Sequence, residues 1–339
     1  ADTITSDAND ILGGYQADVD KNGDVITKSA KTLENPTNRA ISDMANISLM
    51  TWRQENNDMN KRLGELRDSK GEHGAWARMA RGESKYGSQN VKNQYNYYQV
   101  GYDEKLSTNP NWTVGVALTR TEGSSTFARG TGENKHTGFA VYGSYLNDNG
   151  SFIDLIAKYA RMDNEYKTIG AGVGDADYKA NGYSLSAEYG KRFEGSNGFY
   201  VDPSIEFTVG RVDSKNYNAQ SDYLDSLGVN KKLEVQQDAF TTAVGRLGVR
   251  FGQKLDKASY FVKLAAAHEF SGDFNTTYRA VGEPEGKTSI DFGDTWYEAQ
   301  IGGTAKLSDN SLIYASFERS FGGDVEEKWR VDAGLRWSF

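Results

Sequence analysis

The 339-residue chain has no cysteine, four prolines and three histidines. Without thiols there are no disulfides, thiolate metal sites or cysteine nucleophiles. No run of about 18 predominantly apolar residues occurs, which excludes a membrane-spanning helix. Basic charge is also scarce: 39 Lys and Arg stand against 47 Asp and Glu, a net charge of −8. Such a balance offers no electrostatic footprint for nucleic acid. There is no signal peptide, and the first residue is Ala1 rather than Met. The chain is therefore expected to be a processed or excised piece of a longer protein. Aliphatic content is low, with only 37% hydrophobic residues in all and a mean hydropathy of −0.69.

What is abundant is aromatic rings and glycine: 20 Tyr, 15 Phe, 6 Trp and 37 Gly. Such a length allows two soluble domains, but aliphatic-poor, glycine-rich sequence builds poor buried cores. It suits a barrel with an aromatic, lipid-facing outside and a polar inside. Three regions follow along the chain. Residues 1–35 are polar and turn-rich, 36–72 are charged with helical character, and 73–339 alternate strand and turn.

In the first region, Asp18, Asp20 and Asn22, with Gly23, imitate a calcium loop. An EF-hand needs a bidentate Glu at loop position 12, and Ser29 stands there. The expected structure is a hairpin, with Asn22-Gly23 as a two-residue turn joining 15–19 to 25–28.

The second region starts at Asn35-Pro36-Thr37 and contains no glycine until Gly64. Thr37 or Asn38 is a candidate cap. Ile41, Met44, Ile47, Met50, Met59, Leu63 and Leu66 recur at roughly helical spacing. Arg53, Glu55, Lys61, Arg62, Glu65 and Arg67 fill the other faces. A helix this long would span about 40 Å at 1.5 Å per residue. Alone it reads as a solvated linker helix or coiled coil. It is too charged for lipid but suited to a polar pore. Gly64 would cost it about 1 kcal/mol relative to Ala, which close approach to a wall side chain would offset.

From His73 onward the period is two. In the last segment Trp329, Val331, Ala333, Leu335, Trp337 and Phe339 share one face. Arg330, Asp332, Gly334, Arg336 and Ser338 share the other. Alternation over so many residues marks a strand with one apolar and one polar face. Similar segments place Lys158, Glu188, Glu206, Arg246, Arg250, Lys263 and Glu269 on the polar side. Twelve strands are predicted, starting near residues 74, 93, 111, 134, 151, 178, 198, 236, 259, 291, 311 and 328. Short connections (107–111, 147–150, 194–198, 256–258, 308–310) alternate with longer ones (87–92, 124–133, 164–177, 213–235, 271–290, 322–327). This asymmetry belongs to outer-membrane barrels. Trp112, Phe152, Phe193, Phe199, Phe251, Tyr260, Trp337 and Phe339 would form an aromatic girdle beside the short turns, and Tyr178, Trp296 and Trp329 a second one at the far end. A soluble β-sandwich would not need strands of 10–14 residues. The expected fold is all-β membrane: a 12-stranded antiparallel transmembrane β-barrel with an N-terminal α-helix inside the pore.

The run Trp52 to Asp68 followed by Gly74-Ala75-Trp76-Ala77-Arg78 resembles the helix-to-first-strand junction of autotransporter translocator domains. The ending Val331 to Phe339 resembles their C-terminal β-signal. The resemblance covers roughly residues 36–339. It implies a type V secretion translocator in the Gram-negative outer membrane, with its passenger carried to the cell surface and the helix then plugging the pore. Residues 1–35 would be the passenger's C-terminal remnant. Implied partners are outer-membrane lipids, the Bam machinery, which would read Leu335, Trp337 and Phe339, periplasmic chaperones and the chain's own passenger. A monomer is expected. Serine-protease autotransporters cleave the passenger within this helix, where an asparagine cyclises onto its own carbonyl carbon. Asn56, Asn57 and Asp58 occupy that region, with Asn57-Asp58 at the matching place. The alternatives are an outer-membrane enzyme (protease or lipase) and a diffusion porin. His73, His136 and His268 lack an identifiable Ser or Asp partner, and the preceding helix argues against an open pore. No cofactor or metal site is expected.

Overall fold

The computed structural model describes residues 4–9, 14–19, 22, 31–33, 36–57, 71–87, 90–168, 174–219, 233–280 and 285–339. Among them twelve long strands form the wall: β1 (His73–Tyr86), β2 (Val91–Lys105), β3 (Trp112–Phe127), β4 (Gly130–Leu146), β5 (Ser151–Thr168), β6 (Ala176–Lys191), β7 (Phe199–Val212), β8 (Phe240–Lys254), β9 (Ala258–Glu269), β10 (Thr295–Ser308), β11 (Ser311–Phe321) and β12 (Val325–Ser338). Each pairs antiparallel with its chain neighbours. β12 closes on β1, from Val325 opposite Tyr86 to Ser338 opposite Gly74. Closure leaves no open edge, the condition for backbone to cross lipid as strand.

Alternation explains which face is which. Leu118, Ile205, Leu185, Leu247, Ile301 and Leu335 point outward and are exposed, whereas their strand neighbours Thr119, Glu206, Ser184, Gln300 and Arg336 are buried inside. A large apolar face exposed on every strand is what lipid covers. The same pleat removes Tyr178 and Trp296 from the upper aromatic girdle. Tyr178 and Trp296 are 3% and 5% exposed, inside the barrel, and Phe152 of the expected lower girdle is 1% exposed and inside as well, one residue out of phase with outward Leu155's row. Tyr183 and Leu185 already face outward on β6 and Tyr297 and Ile301 on β10, so a side chain an odd number of residues away must face in.

The connection expected at 124–133 is mostly strand. Pairing runs on from Ser124–Glu133 to Phe127–Gly130, leaving Ala128-Arg129 as the turn. Beyond the hydrocarbon both strand faces meet polar surroundings, so alternation stops marking the strand although pairing persists. The two longest connections carry a four-stranded sheet of Lys215–Ala219, Leu233–Gln237, Asp273–Ala280 and Gly286–Asp291, paired in that order. The strand predicted near 236 is part of this sheet, and the wall resumes at Phe240.

Helix α1 (Pro36–Glu55) lies within the barrel. Pro36 occupies its first turn, where a missing N–H costs nothing. Thr37 and Asn38 are thus inside the helix rather than capping it. Of its residues, Ile41, Asp43, Ile47, Leu49, Trp52 and Glu55 are at most 1% exposed. A helix buried on all sides while carrying charge has the wall as its partner, not solvent. Its upper part packs on Tyr166, Tyr178, Tyr217, Leu233, Val235 and Tyr278, so the four-stranded sheet covers the long-loop end of the pore.

In the N-terminal region, Gly14–Val19 pairs with Ile4–Asn9 on one side and Lys31–Leu33 on the other. The expected hairpin partner Val25–Lys28 lies outside the described residues.

Candidate pore-plug site

The functional geometry is the seat of α1 in the wall. Trp52 is fully buried and stands in a notch left by two glycines. A Cβ on Gly182 would lie 2.3 Å from the Trp52 ring, and one on Gly210 2.9 Å from it. Only glycine lets a strand backbone approach a ring this closely. The indole N–H donates to Thr242 Oγ1 at 3.2 Å. Leu49 and Ala45 pack beside it against Ala160, Met162, Ala180, Val212 and Phe240.

Below Trp52 the helix ends on a polar socket. The Glu55 carboxylate accepts from the Thr121 hydroxyl, lies 3.0 Å from His136 Nδ1 and pairs with Lys158 Nζ at 3.3 Å. Lys158 Nζ also donates to the Glu55 main-chain carbonyl at 2.6 Å. A cation here satisfies a terminal carbonyl and complements the negative end of the helix. Asn56 N then reaches back to Trp52 O, and Asn57 N to Gln54 O, in a closing turn. The described helix is therefore shorter than the unbroken one expected from the spacing, because the asparagines turn and the wall caps it.

Arg53 donates to Glu269 Oε1 at 3.4 Å and to the Phe292 carbonyl at 3.0 Å, and its guanidinium lies 4.7 Å from the Trp296 ring centroid. Asn93 donates to Gln54 Oε1, and Asn57 Nδ2 donates to Glu318 Oε1 at 3.2 Å. Higher up, Ser48 bonds Tyr178 Oη, and Tyr278 Oη donates to Asn38. Burial pushes the Tyr278 phenol up to about 12, so it stays a neutral donor.

Of the residues singled out by sequence, Arg53 and Glu55 meet the wall here. Asp58, Lys61, Arg62, Gly64, Glu65 and Arg67 lie outside the described residues. Lys158, Glu188, Glu206, Arg250, Lys263, Glu269, Arg330, Asp332 and Arg336 are buried on the inner face, and Arg246 is nearly so. Their partners are mostly in the wall: Arg246 with Glu206 (3.1 Å) and Glu298 (2.9 Å), Arg330 with Asp332 (2.9 Å), and Arg336 with Asp103 (2.5 Å). Leu335, Trp337 and Phe339 face outward, about half exposed. Phe339 stacks on His73 at 5.5 Å and packs on Trp337 at 4.8 Å, across the β12–β1 seam. The glycine notch, Thr121 and Glu318 were not foreseen. They have no signature in the chain, because they become a site only through strand register.

A closed twelve-strand barrel with an apolar exterior and a polar helix seated in its lumen defines an outer-membrane barrel of the plugged kind. The family model of the autotransporter β-domain matches residues 75–318, and the chain belongs to that family. It is 29% identical over 307 residues to the serine protease EspP of Escherichia coli, covering 89% of this chain and 23% of that protein. The chain spans less than a third of the length of the curated relatives it matches. Among solved structures, the β domain of the Bordetella autotransporter BrkA is 27% identical with a TM-score of 0.61, covering 79% of this chain and all of that one. The translocator domain of NalP from Neisseria meningitidis is 14% identical with a TM-score of 0.68, over 87% of this chain and 98% of that one, a likeness of fold.

Proposed function

We propose that this chain carries an N-terminal passenger to the cell surface and then holds α1 in the pore as a plug. The short-turn rim then faces the periplasm, the long-loop end faces outside, and residues 1–35 are the remnant of the passenger. The observation that supports this best is α1 itself, a charged helix threaded through a closed barrel and seated on the wall by Trp52 and Glu55. A diffusion porin would not fill its own lumen. Catalytic geometry for a protease or lipase is missing from the described histidines: His73 and His268 are outward, and His136 is held by Glu55. Assembly by the Bam machinery and periplasmic chaperones, with Leu335, Trp337 and Phe339 as the recognition segment, accompanies this reading, as does a monomer.

The test is an epitope placed ahead of Ala1 in Gram-negative cells. It should become accessible to external antibody and protease. A folded barrel whose epitope stays periplasmic would overturn the reading. Planar-bilayer conductance checks the plug: it should be small for the intact chain and rise when residues 36–68 are deleted.

A second activity is favoured by one contact. The Glu318 carboxylate holds the Asn57 amide nitrogen at 3.2 Å, within reach for a general base. Loss of a proton from that nitrogen and its attack on the Asn57 carbonyl carbon would expel the next residue's amine. A succinimide would end the upstream product, and the barrel fragment would start at Asp58. Mass spectrometry of the membrane-embedded form decides: that fragment supports cleavage, and an intact chain refutes it.

A further inference from the structure

One part of the outer wall is concave. A groove of 960 Å³ crosses β2 to β7. Two rows of outward residues build it. The first runs Glu104, Val114, Gly143, Leu155, Ala187, Phe207, each directly opposite the next in the register of adjacent strands. The second runs parallel to it and contributes Ala157 between Val141 and Leu185. Small residues at 143, 157 and 187 sink the floor below the branched side chains around them. The Trp112 ring folds over Gly143, where a Cβ would lie 3.4 Å from it, and forms a wall near the short-turn rim.

The groove's length and slope match one leaflet. Five strand spacings of about 4.8 Å make a row of about 24 Å. With strands tilted about 40°, such a row rises about 15 Å, half of a hydrocarbon core of about 30 Å. It climbs in the right sense. Glu104 is next to the end of β2, whereas Phe207 is eight residues past the start of β7. Its lower end carries a single charge. Glu104 is outward, its Oε1 accepting from Tyr102 Oη at 2.5 Å and lying 3.2 Å from His73 Nδ1. A fixed carboxylate at the headgroup level repels an anionic lipid and attracts an ammonium.

We propose that this groove holds one phospholipid with a protonated amine headgroup, its acyl chain over Gly143, Ala157 and Ala187 and its ammonium at Glu104. The apolar length fits a chain anchored at the rim, and the carboxylate selects the ethanolamine class over the glycerol class.

The test is native mass spectrometry of the full chain released from bilayers of phosphatidylethanolamine and phosphatidylglycerol in equal amounts. Heat-modifiable mobility confirms that each variant is folded. The wild type should retain one lipid per chain, with about threefold preference for the ethanolamine lipid, the size expected of one exposed ion pair. Glu104→Gln should retain lipid without preference. Ala157→Phe, which fills the floor from the outside, should lose the retained lipid of both kinds. Equal retention of the two lipids by the wild type, no retained lipid at all, or undiminished retention in Ala157→Phe would each overturn the proposal. The translocation assay is independent of these readouts, so failure here leaves passenger transport untouched.

Discussion

Trp52→Ala should unseat the helix while leaving the wall intact. A buried Trp hides about 200 Å², so at about 25 cal/mol/Å² its removal costs about 5 kcal/mol at most. Measured Trp→Ala truncations in cores fall at about 3–5 kcal/mol. Loss of the Thr242 bond contributes about 1 kcal/mol of that. If about 3 kcal/mol falls on the seated state alone, excursions of the helix rise about 100-fold. The assay is planar-bilayer conductance of the refolded chain, with heat-modifiable mobility reporting the barrel separately. A cycle sharpens the test. Gly182→Val alone puts side-chain carbon where the Trp52 ring is, and should raise conductance too. Combined with Trp52→Ala, the valine fills part of the emptied notch, so the double variant should leak less than the sum of the singles. Unchanged conductance in Trp52→Ala, or a Gly182→Val effect indifferent to the residue at 52, would refute the notch as the seat.

Other expectations concern the socket and the seam. Lys158→Met leaves the Glu55 carboxylate and the last helix carbonyl without their cation, a loss of about 3–5 kcal/mol for a broken buried pair. Conductance should rise, and adding Glu55→Gln should recover part of it. Deleting Phe339 removes the ring stacked on His73 across the closing seam. Outer-membrane yield should fall further than for Phe139→Ala, a lipid-facing change in the middle of β4, and equal yields would sink the distinction. Glu318→Gln removes the base at Asn57, so any fragment starting at Asp58 should diminish in its membrane-embedded form.

Most of the wall was legible because a transmembrane strand has two unlike faces. On β12, Val331, Leu335 and Trp337 outside and Arg330, Asp332 and Arg336 inside reproduce the period seen in the chain. Where the environment is the same on both faces, the signal disappears. Thr131, Gly132 and Glu133 continue β4 above the hydrocarbon with no apolar face, and the sequence there reads as loop. The cap strand Gly286–Asp291 was lost for the same reason. Tyr178 and Trp296 failed differently. Their positions near strand ends suggested a girdle, but the phase of Tyr183 and Tyr297 already turned them inward.

The helix shows what one-dimensional reading misses in a site. Its polarity announced a pore, yet its end is fixed by Lys158, a residue about a hundred positions away that meets Glu55 only through the register of β5. The wall also settles whether the plug is needed to neutralise the barrel. Arg246 pairs with Glu206 and Glu298, Arg330 with Asp332, and Arg336 with Asp103, all from strand to strand or within one strand, and Arg192 in the short turn after β6 pairs with Asp202 on β7. The described helix meets the wall's charges through Arg53 with Glu269 and through Glu55 with Lys158 and His136. A lumen whose charges are balanced mainly within the wall carries little unpaired charge when the helix is away. Such a wall is stable both with its pore full and with a different segment passing through it, as a translocator requires. Deletion of residues 36–68 should accordingly open the pore while the barrel keeps its heat-modifiable mobility. Collapse of the barrel in that deletion would show that the helix is a structural core and not a plug.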